Sequence, residues 1–105
     1  MARISISNET RARIHGAIFR KIAAIALPKS YRLGLVFVNA TQIKRLNLIY
    51  RNKPTATDIL SFPLGKNEGE IYICPSEAHK ESAMFNRKYE NFLLFLFIHG
   101  CTHLK

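Results

Sequence analysis

Acidic residues are scarce in this chain: seven Asp and Glu stand against sixteen Lys and Arg, a formal net charge of +9 over 105 residues. That imbalance argues against cationic partners and favours polyanions, because each phosphate neutralised by Lys or Arg releases counterions. Nucleic acid satisfies it, and so does an anionic membrane surface. The positive charges are spread without a long like-charged block, which argues against a disordered basic tail. Cysteine is nearly absent as well. Cys74 and Cys101 are the only two, too few for a disulfide framework, and with no signal peptide expected they read as buried thiols in a reducing compartment. Nor is there a long hydrophobic run. The longest, Phe92 to Ile98, falls far short of the roughly 20 residues a membrane-spanning helix needs. A soluble, cytoplasmic protein without a membrane partner is expected. Repeats, low-complexity tracts and linkers are missing too, so residues 1–105 are read as a single domain. At 48% hydrophobic residues it can bury a real core, although its size keeps the stability modest.

Hydrophobic periodicity then predicts the elements. Arg3 to Ser7 alternates Ile4 and Ile6 with polar residues, as a short strand does. Asn8 or Thr10 can cap a helix carrying Ile14, Ile18, Ile22 and Ile25 on one face, with Arg13, Arg20 and Lys21 turned away and Pro28 marking its end. Leu33 to Val38 is continuously apolar, the pattern of a strand covered on both sides. Thr41 opens a second helix with Ile43, Leu46 and Tyr50 inward. Thr57 to Phe62 forms the next strand, stopped by Pro63, and Leu64 to Gly69 a turn-rich connection. Glu70 to Cys74 follows as a strand with Ile71 and Ile73 on one face. Ser76 is placed to cap a helix reaching about Arg87, and from Tyr89 the chain is helical again. Phe92 to Ile98 is apolar all round, so this last helix is expected to be central and buried. The order predicts an α+β or mixed α/β domain, one small mixed sheet packed with helices. The last helix has no stop signal, neither a Gly or Asn cap nor Pro nor a basic turn beyond Lys105. The chain is therefore expected to be truncated within a helix.

Two constellations carry chemistry. In His99-Gly100-Cys101-Thr102-His103-Leu104 the two histidines are one helical turn apart and point the same way. They continue the stripe of Tyr89, Phe92 and Leu96, which places them at the edge of the core. Two neutral imidazoles so arranged can grip a zinc ion, which takes three protein ligands and keeps one position open when catalytic. Two core histidines satisfied by backbone groups would look the same. Cys101 faces away and makes a poor third ligand, and Gly100 stands where a metalloprotease helix carries its general-base Glu. The second constellation runs from Tyr50 to Pro63. Arg51 and Lys53 begin a polar loop leading into a strand, where a guanidinium can clamp a phosphate or stabilise charge developing on phosphorus. A solvated loop cation is the alternative. Asp58 can orient the loop or a histidine, although its place suits a strand-entry role. His15 and His79 fall among polar neighbours and read as surface residues.

At these residues the sequence resembles the YbeY family of ribosomal-RNA maturation endoribonucleases. Leu46-Asn47, Tyr50-Arg51 and Thr57-Asp58-Ile59-Leu60-Ser61-Phe62-Pro63 are similar to the family's Leu-Asn…Tyr-Arg…Thr-Asp-Val-Leu-Ser-Phe-Pro block. Gly69-Glu70-Ile71-Tyr72-Ile73 is similar to its Gly-Asp-Ile strand. His99 to Leu104 resembles the opening of His-Gly-x-x-His-Leu-x-Gly-x-Asp-His. The resemblance implies a zincin-like metal-dependent hydrolase fold with a central His-bearing helix, and one Zn2+ held by three histidines. His99 and His103 would be the first two, with the third beyond Lys105, and Arg51 would be the catalytic arginine. It further implies a single-strand-specific endoribonuclease acting in 16S rRNA 3′-end processing and ribosome quality control, with ribosomal RNA and the small ribosomal subunit as partners. Arg11, Arg13, Arg20 and Lys21 would add sequence-independent phosphate contacts. Two departures stand out. Glu70 replaces an Asp, and Asn52-Lys53-Pro54-Thr55-Ala56 keeps the length but not the order of the family's Gly-Lys-Asp-x-Pro. Two other readings stay open. One is a non-catalytic RNA- or ribosome-binding module; the other is a metallopeptidase-like hydrolase, against which Gly100 and the basic surface count.

Overall fold

The structure, a computed structural model, describes residues 1–104. Lys105, on which part of the expectation about the last helix rested, lies outside the described residues. The elements in chain order are β1 (Arg3–Asn8), α1 (Gly16–Ala26), β2 (Arg32–Phe37), α2 (Ala40–Arg51), β3 (Ile59–Gly65), β4 (Glu68–Ile73), α3 (Pro75–Met84) and α4 (Tyr89–Leu104). Among the described residues the strands form one four-stranded sheet in the order β1-β2-β4-β3. β1, β2 and β4 run parallel, and β3 pairs antiparallel with β4 at the edge. The expected small mixed sheet packed with helices is therefore present.

Strand alternation sorts the apolar side chains onto two faces. Leu33, Leu35, Phe37, Ile71 and Ile73 meet α1 and α4 on one side. On the other, Val38, Leu60 and Cys74 meet Ile43 of α2, with Val36, Phe62 and Tyr72 half-buried beside them. β2 is thus covered on both sides, as its continuous apolar run implied. Cys74 and Cys101 are both buried and in no disulfide. Among the described residues no helix is long and apolar enough to cross a membrane.

Several local expectations give way to tertiary packing. α1 starts at Gly16, with His15 as its N-cap. Asn8 and Thr10 instead build the preceding loop: Asn8 Oδ1 accepts from the Thr10 amide at 2.9 Å, and Asn8 Nδ2 donates to Ala12 O at 2.8 Å. The buried face of α1 is Phe19 and Ala23, while Ile18 and Ile25 are exposed. Phe19 fixes that rotation, its ring lying edge-on to Phe37 at 5.4 Å and to Phe97 at 5.2 Å. In α2, Tyr50 is exposed and the buried Asn47 shares the inner face with Ile43. Pro63 does not stop β3, which continues to Gly65. An edge strand tolerates a missing N–H. The connection shortens to the turn at Lys66-Asn67. α3 begins at Pro75 with Cys74 as N-cap rather than Ser76, since Pro suits a first helical turn, and ends at Met84, short of Arg87. α4 is not buried all round: Phe95 and Ile98 are about half exposed.

Close approach of α4 to the sheet needs glycine. A Cβ on Gly69 would stand 2.5 Å from Tyr31 Oη and 2.9 Å from Leu104 Cδ2, and both those side chains are buried. Gly69→Ala should lower stability by about 1–3 kcal/mol, read as a reduced urea midpoint with unchanged far-UV circular dichroism at zero denaturant.

Candidate functional site

Arg51 is placed by the two ends of its helix. At the start of α2, Asn39 Oδ1 accepts from the Gln42 amide at 2.8 Å, and Gln42 Oε1 accepts from the Asn39 amide at 2.9 Å. This reciprocal box satisfies amides the helix itself leaves open. At the other end Asn52 adopts the left-handed conformation, φ 56° and ψ 35°, and its amide donates to Leu48 O at 3.1 Å. Asn is one of the few residues that tolerates this geometry. The chain then turns away and leaves Arg51 exposed at the helix C-terminus, where the helix dipole favours a cation. Asn47 Nδ2 donates to Thr55 O at 2.9 Å and so fastens the following loop to α2. The ion pairs among the described residues, Arg32–Glu68 and Lys80–Glu77, leave the Arg51 guanidinium without a carboxylate.

The two histidines come from the last turns of α4. Their Nε2 atoms lie 3.1 Å apart and their ring planes are inclined by 80°. Both rings are exposed, which corrects the expectation that they sit at the edge of the core. The buried face of α4 passes through Leu96, Phe97, Gly100, Cys101 and Leu104, and the histidines share the exposed column of Phe95. Cys101 points into the core, away from them. Gly100 is what brings this column to the sheet. A Cβ there would lie 3.0 Å from Ile59 Cδ1, 3.0 Å from Ser61 Oγ and 3.1 Å from Ile71 Cδ1.

Arg51, His99 and His103 line one concavity of about 450 Å³, together with Ile59, Leu60, Ser61 and Pro63 of β3. Zinc–nitrogen bonds of about 2.0–2.1 Å at a tetrahedral angle separate two imidazole nitrogens by roughly 3.3 Å. The observed spacing fits, so the pair can grip one side of a zinc ion. Among the described residues no group of three or more His, Cys, Asp or Glu side chains is placed to hold a metal. Two ligands are therefore what these residues offer. Ser61 and Gly100 went unremarked as site residues in the sequence, although period-two alternation already puts Ile59, Ser61 and Pro63 on one face of β3.

Asp58 does not join the histidines. Its carboxyl bonds locally, with its own amide, the Ile59 amide and the Thr57 side chain, and the charge it senses is that of Glu81. The strand-entry role holds. His15 and His79 are exposed, and the His79 ring stacks on Tyr89 at 4.7 Å. A larger concavity of about 680 Å³ lies among α1, α3 and the start of α4. Its walls are mainly apolar, with Arg13, His15, His79 and Glu90 also on its lining.

The family profile described as Endoribonuclease YbeY matches residues 2–105. The Endoribonuclease YbeY of Thermotoga maritima is 38% identical over 74 residues, covering 69% of this chain and 49% of that protein. That of Staphylococcus carnosus is 34% identical over 84 residues, covering 69% and 55%. That of Ureaplasma urealyticum is 32% identical over 117 residues, covering 97% and 76%. The solution structure of TM1509 from Thermotoga maritima superposes with a TM-score of 0.67 at 30% identity, covering 99% of this chain and 71% of that one. The chain spans about half the length of the first curated relatives it matches.

Burial, and then the Glu81 charge, raise the Asp58 carboxyl above its ordinary value, against the opposing pull of its local hydrogen bonds. The folded protein then binds the proton more tightly than the unfolded chain. Stability should fall as pH rises from the ordinary carboxylate value to the raised one. Asp58→Asn should flatten that part of the profile, measured by urea unfolding across mildly acidic pH.

Proposed function

The chain belongs to the endoribonuclease YbeY family, and on that premise we propose that it is a zinc-dependent endoribonuclease domain acting on single-stranded RNA in ribosomal RNA maturation. The observation that carries the reading is the convergence of Arg51 with His99 and His103 on one concavity. In this reading α4 is the metal-bearing helix of a zincin-like arrangement, packed by Gly100 against the edge strand β3. His99 and His103 would hold the ion. Bound zinc supplies Lewis acidity that activates water and polarises a phosphoryl oxygen. Arg51 does the rest of the electrostatic work. Its fork of donors takes the scissile phosphate, and its fixed charge opposes the negative charge that builds on phosphorus. The α2 caps and the Asn47–Thr55 bond fix the backbone from which that guanidinium projects.

The excess of basic residues attracts the RNA backbone regardless of sequence. Arg11, Arg13 and Lys21 are exposed and available for it, whereas Arg20 also donates to Ile4 O at 2.8 Å. The small ribosomal subunit is the partner, 16S rRNA 3′-end processing and ribosome quality control the setting, and the cytoplasm the compartment. A second reading, an RNA-binding module without cleavage, draws on the net charge of +9 alone. It predicts salt-sensitive RNA binding that survives His99→Ala and His103→Ala with no cleavage product.

Elemental analysis should find about one zinc per purified chain and none in His103→Ala; a folded parent without zinc would leave only the binding module. Arg51→Ala should slow cleavage of a single-stranded oligoribonucleotide by roughly 100-fold while zinc content and RNA affinity stay close to the parent's. Loss of zinc from Arg51→Ala would remove Arg51 from its phosphate role.

A further inference from the structure

Phe95 is a large aromatic ring with 49% of its surface in water, one helical turn before His99. Its surroundings hold it still. The buried Phe92 ring stacks beside it at 6.1 Å and 27°, and the His99 ring lies at 6.3 Å and only 16° from its plane. Arg87 covers it, the guanidinium carbon standing 5.4 Å from the ring centroid. The chain is built to bring Arg87 there. After α3, Asn86 takes the left-handed conformation at φ 54°, and the Arg87 amide donates to Ser82 O at 2.8 Å. The chain thereby turns back, and the side chain falls across α4. No ion pair among the described residues engages Arg87. Core packing does not require an exposed ring, and neither ring nor guanidinium takes part in holding a metal.

We propose that Phe95 and Arg87 form a base-stacking shelf that receives the nucleobase next to the phosphate held by Arg51 and the histidine pair. This rests on the endoribonuclease reading and adds to it a determinant of strand selection. A nucleobase is planar and polarisable and stacks on an aromatic ring or a guanidinium plane whatever its identity. In a duplex both faces of each base are already covered, so only an unpaired nucleotide can use the shelf. Arg87 is exposed and can lift to admit a base and close on it, while its charge suits the adjoining phosphate. The parallel alignment of the Phe95 and His99 rings sets base and phosphate one helical turn apart along α4.

The test is binding of the 105-residue chain to a labelled single-stranded oligoribonucleotide and to the same backbone carrying abasic sites. Phe95→Ala should weaken binding of the intact oligonucleotide by roughly 5- to 100-fold and leave binding of the abasic one unchanged. Phe95→Tyr should restore the parent's affinity, and Arg87→Ala should show a smaller loss of the same kind. Because Phe95 is half exposed, its variants are expected to fold; a thermal melt on each confirms it. Intact-oligonucleotide binding by a folded Phe95→Ala equal to the parent's overturns the shelf, leaves RNA binding standing and assigns the exposed ring to a protein contact. Equal losses on the intact and abasic oligonucleotides also overturn it. A folded parent that binds neither oligonucleotide overturns the shelf and the endoribonuclease reading together.

Discussion

The seating of α4 on the sheet governs the rest of this molecule, and it depends on two positions that have no side chain. Gly100 lets the helix backbone approach Ile59, Ser61 and Ile71, and Gly69 leaves room for Tyr31 and Leu104 at the helix's last turn. With Cβ atoms there, the Tyr31 and Leu104 side chains would have to shift at Gly69, and Ile59, Ser61 and Ile71 to give at Gly100. The core would lose contact density along α4, since interiors are packed too tightly to absorb such a shift without loss. The same seating sets the histidines against the strand that forms the opposite wall of their concavity. One packing constraint therefore serves stability and geometry at once.

Arg51 is held by a different device, made almost wholly of asparagines. Asn39 starts the helix, Asn52 ends it, and Asn47 ties down the loop that leaves it. A side-chain amide both donates and accepts, and Asn is short enough to reach its own neighbouring backbone. The left-handed conformation of Asn52 is one that Gly and Asn share. The loop after it, with Pro54 early, is tied down because Asn47 grips Thr55 through the backbone carbonyl, which any residue supplies.

Much of the architecture was legible from pattern. The element order, the burial of β2 on both faces and the outward cations of α1 all follow from periodicity and hold in the structure. Errors cluster where one side chain outweighs its stripe. Phe19 sets the rotation of α1, its ring buried edge-on against Phe37 and Phe97, so that of the isoleucine face Ile14 and Ile22 stay packed on the core while Ile18 and Ile25 turn outward. Pro63 reads as a strand breaker only while β3 is assumed to be interior; on a sheet edge its missing amide costs nothing.

The order of strands and helices and the spacing of His99 and His103 on one helix face were decided locally, by backbone period and residue type, and the sequence by itself determined them. Helix ends that rest on neighbouring residues are local in the same way, although α2 opens at Ala40 with Asn39 as its cap rather than at Thr41. Whether those histidines face core or solvent, and that Arg51, Ser61 and Pro63 meet them around one concavity, was decided only by tertiary structure. The reason is that helix rotation and strand order are settled by packing between segments far apart in the chain. That packing turns on side-chain volume, including the volume missing at Gly69 and Gly100, to which a periodic pattern of apolar and polar residues is blind.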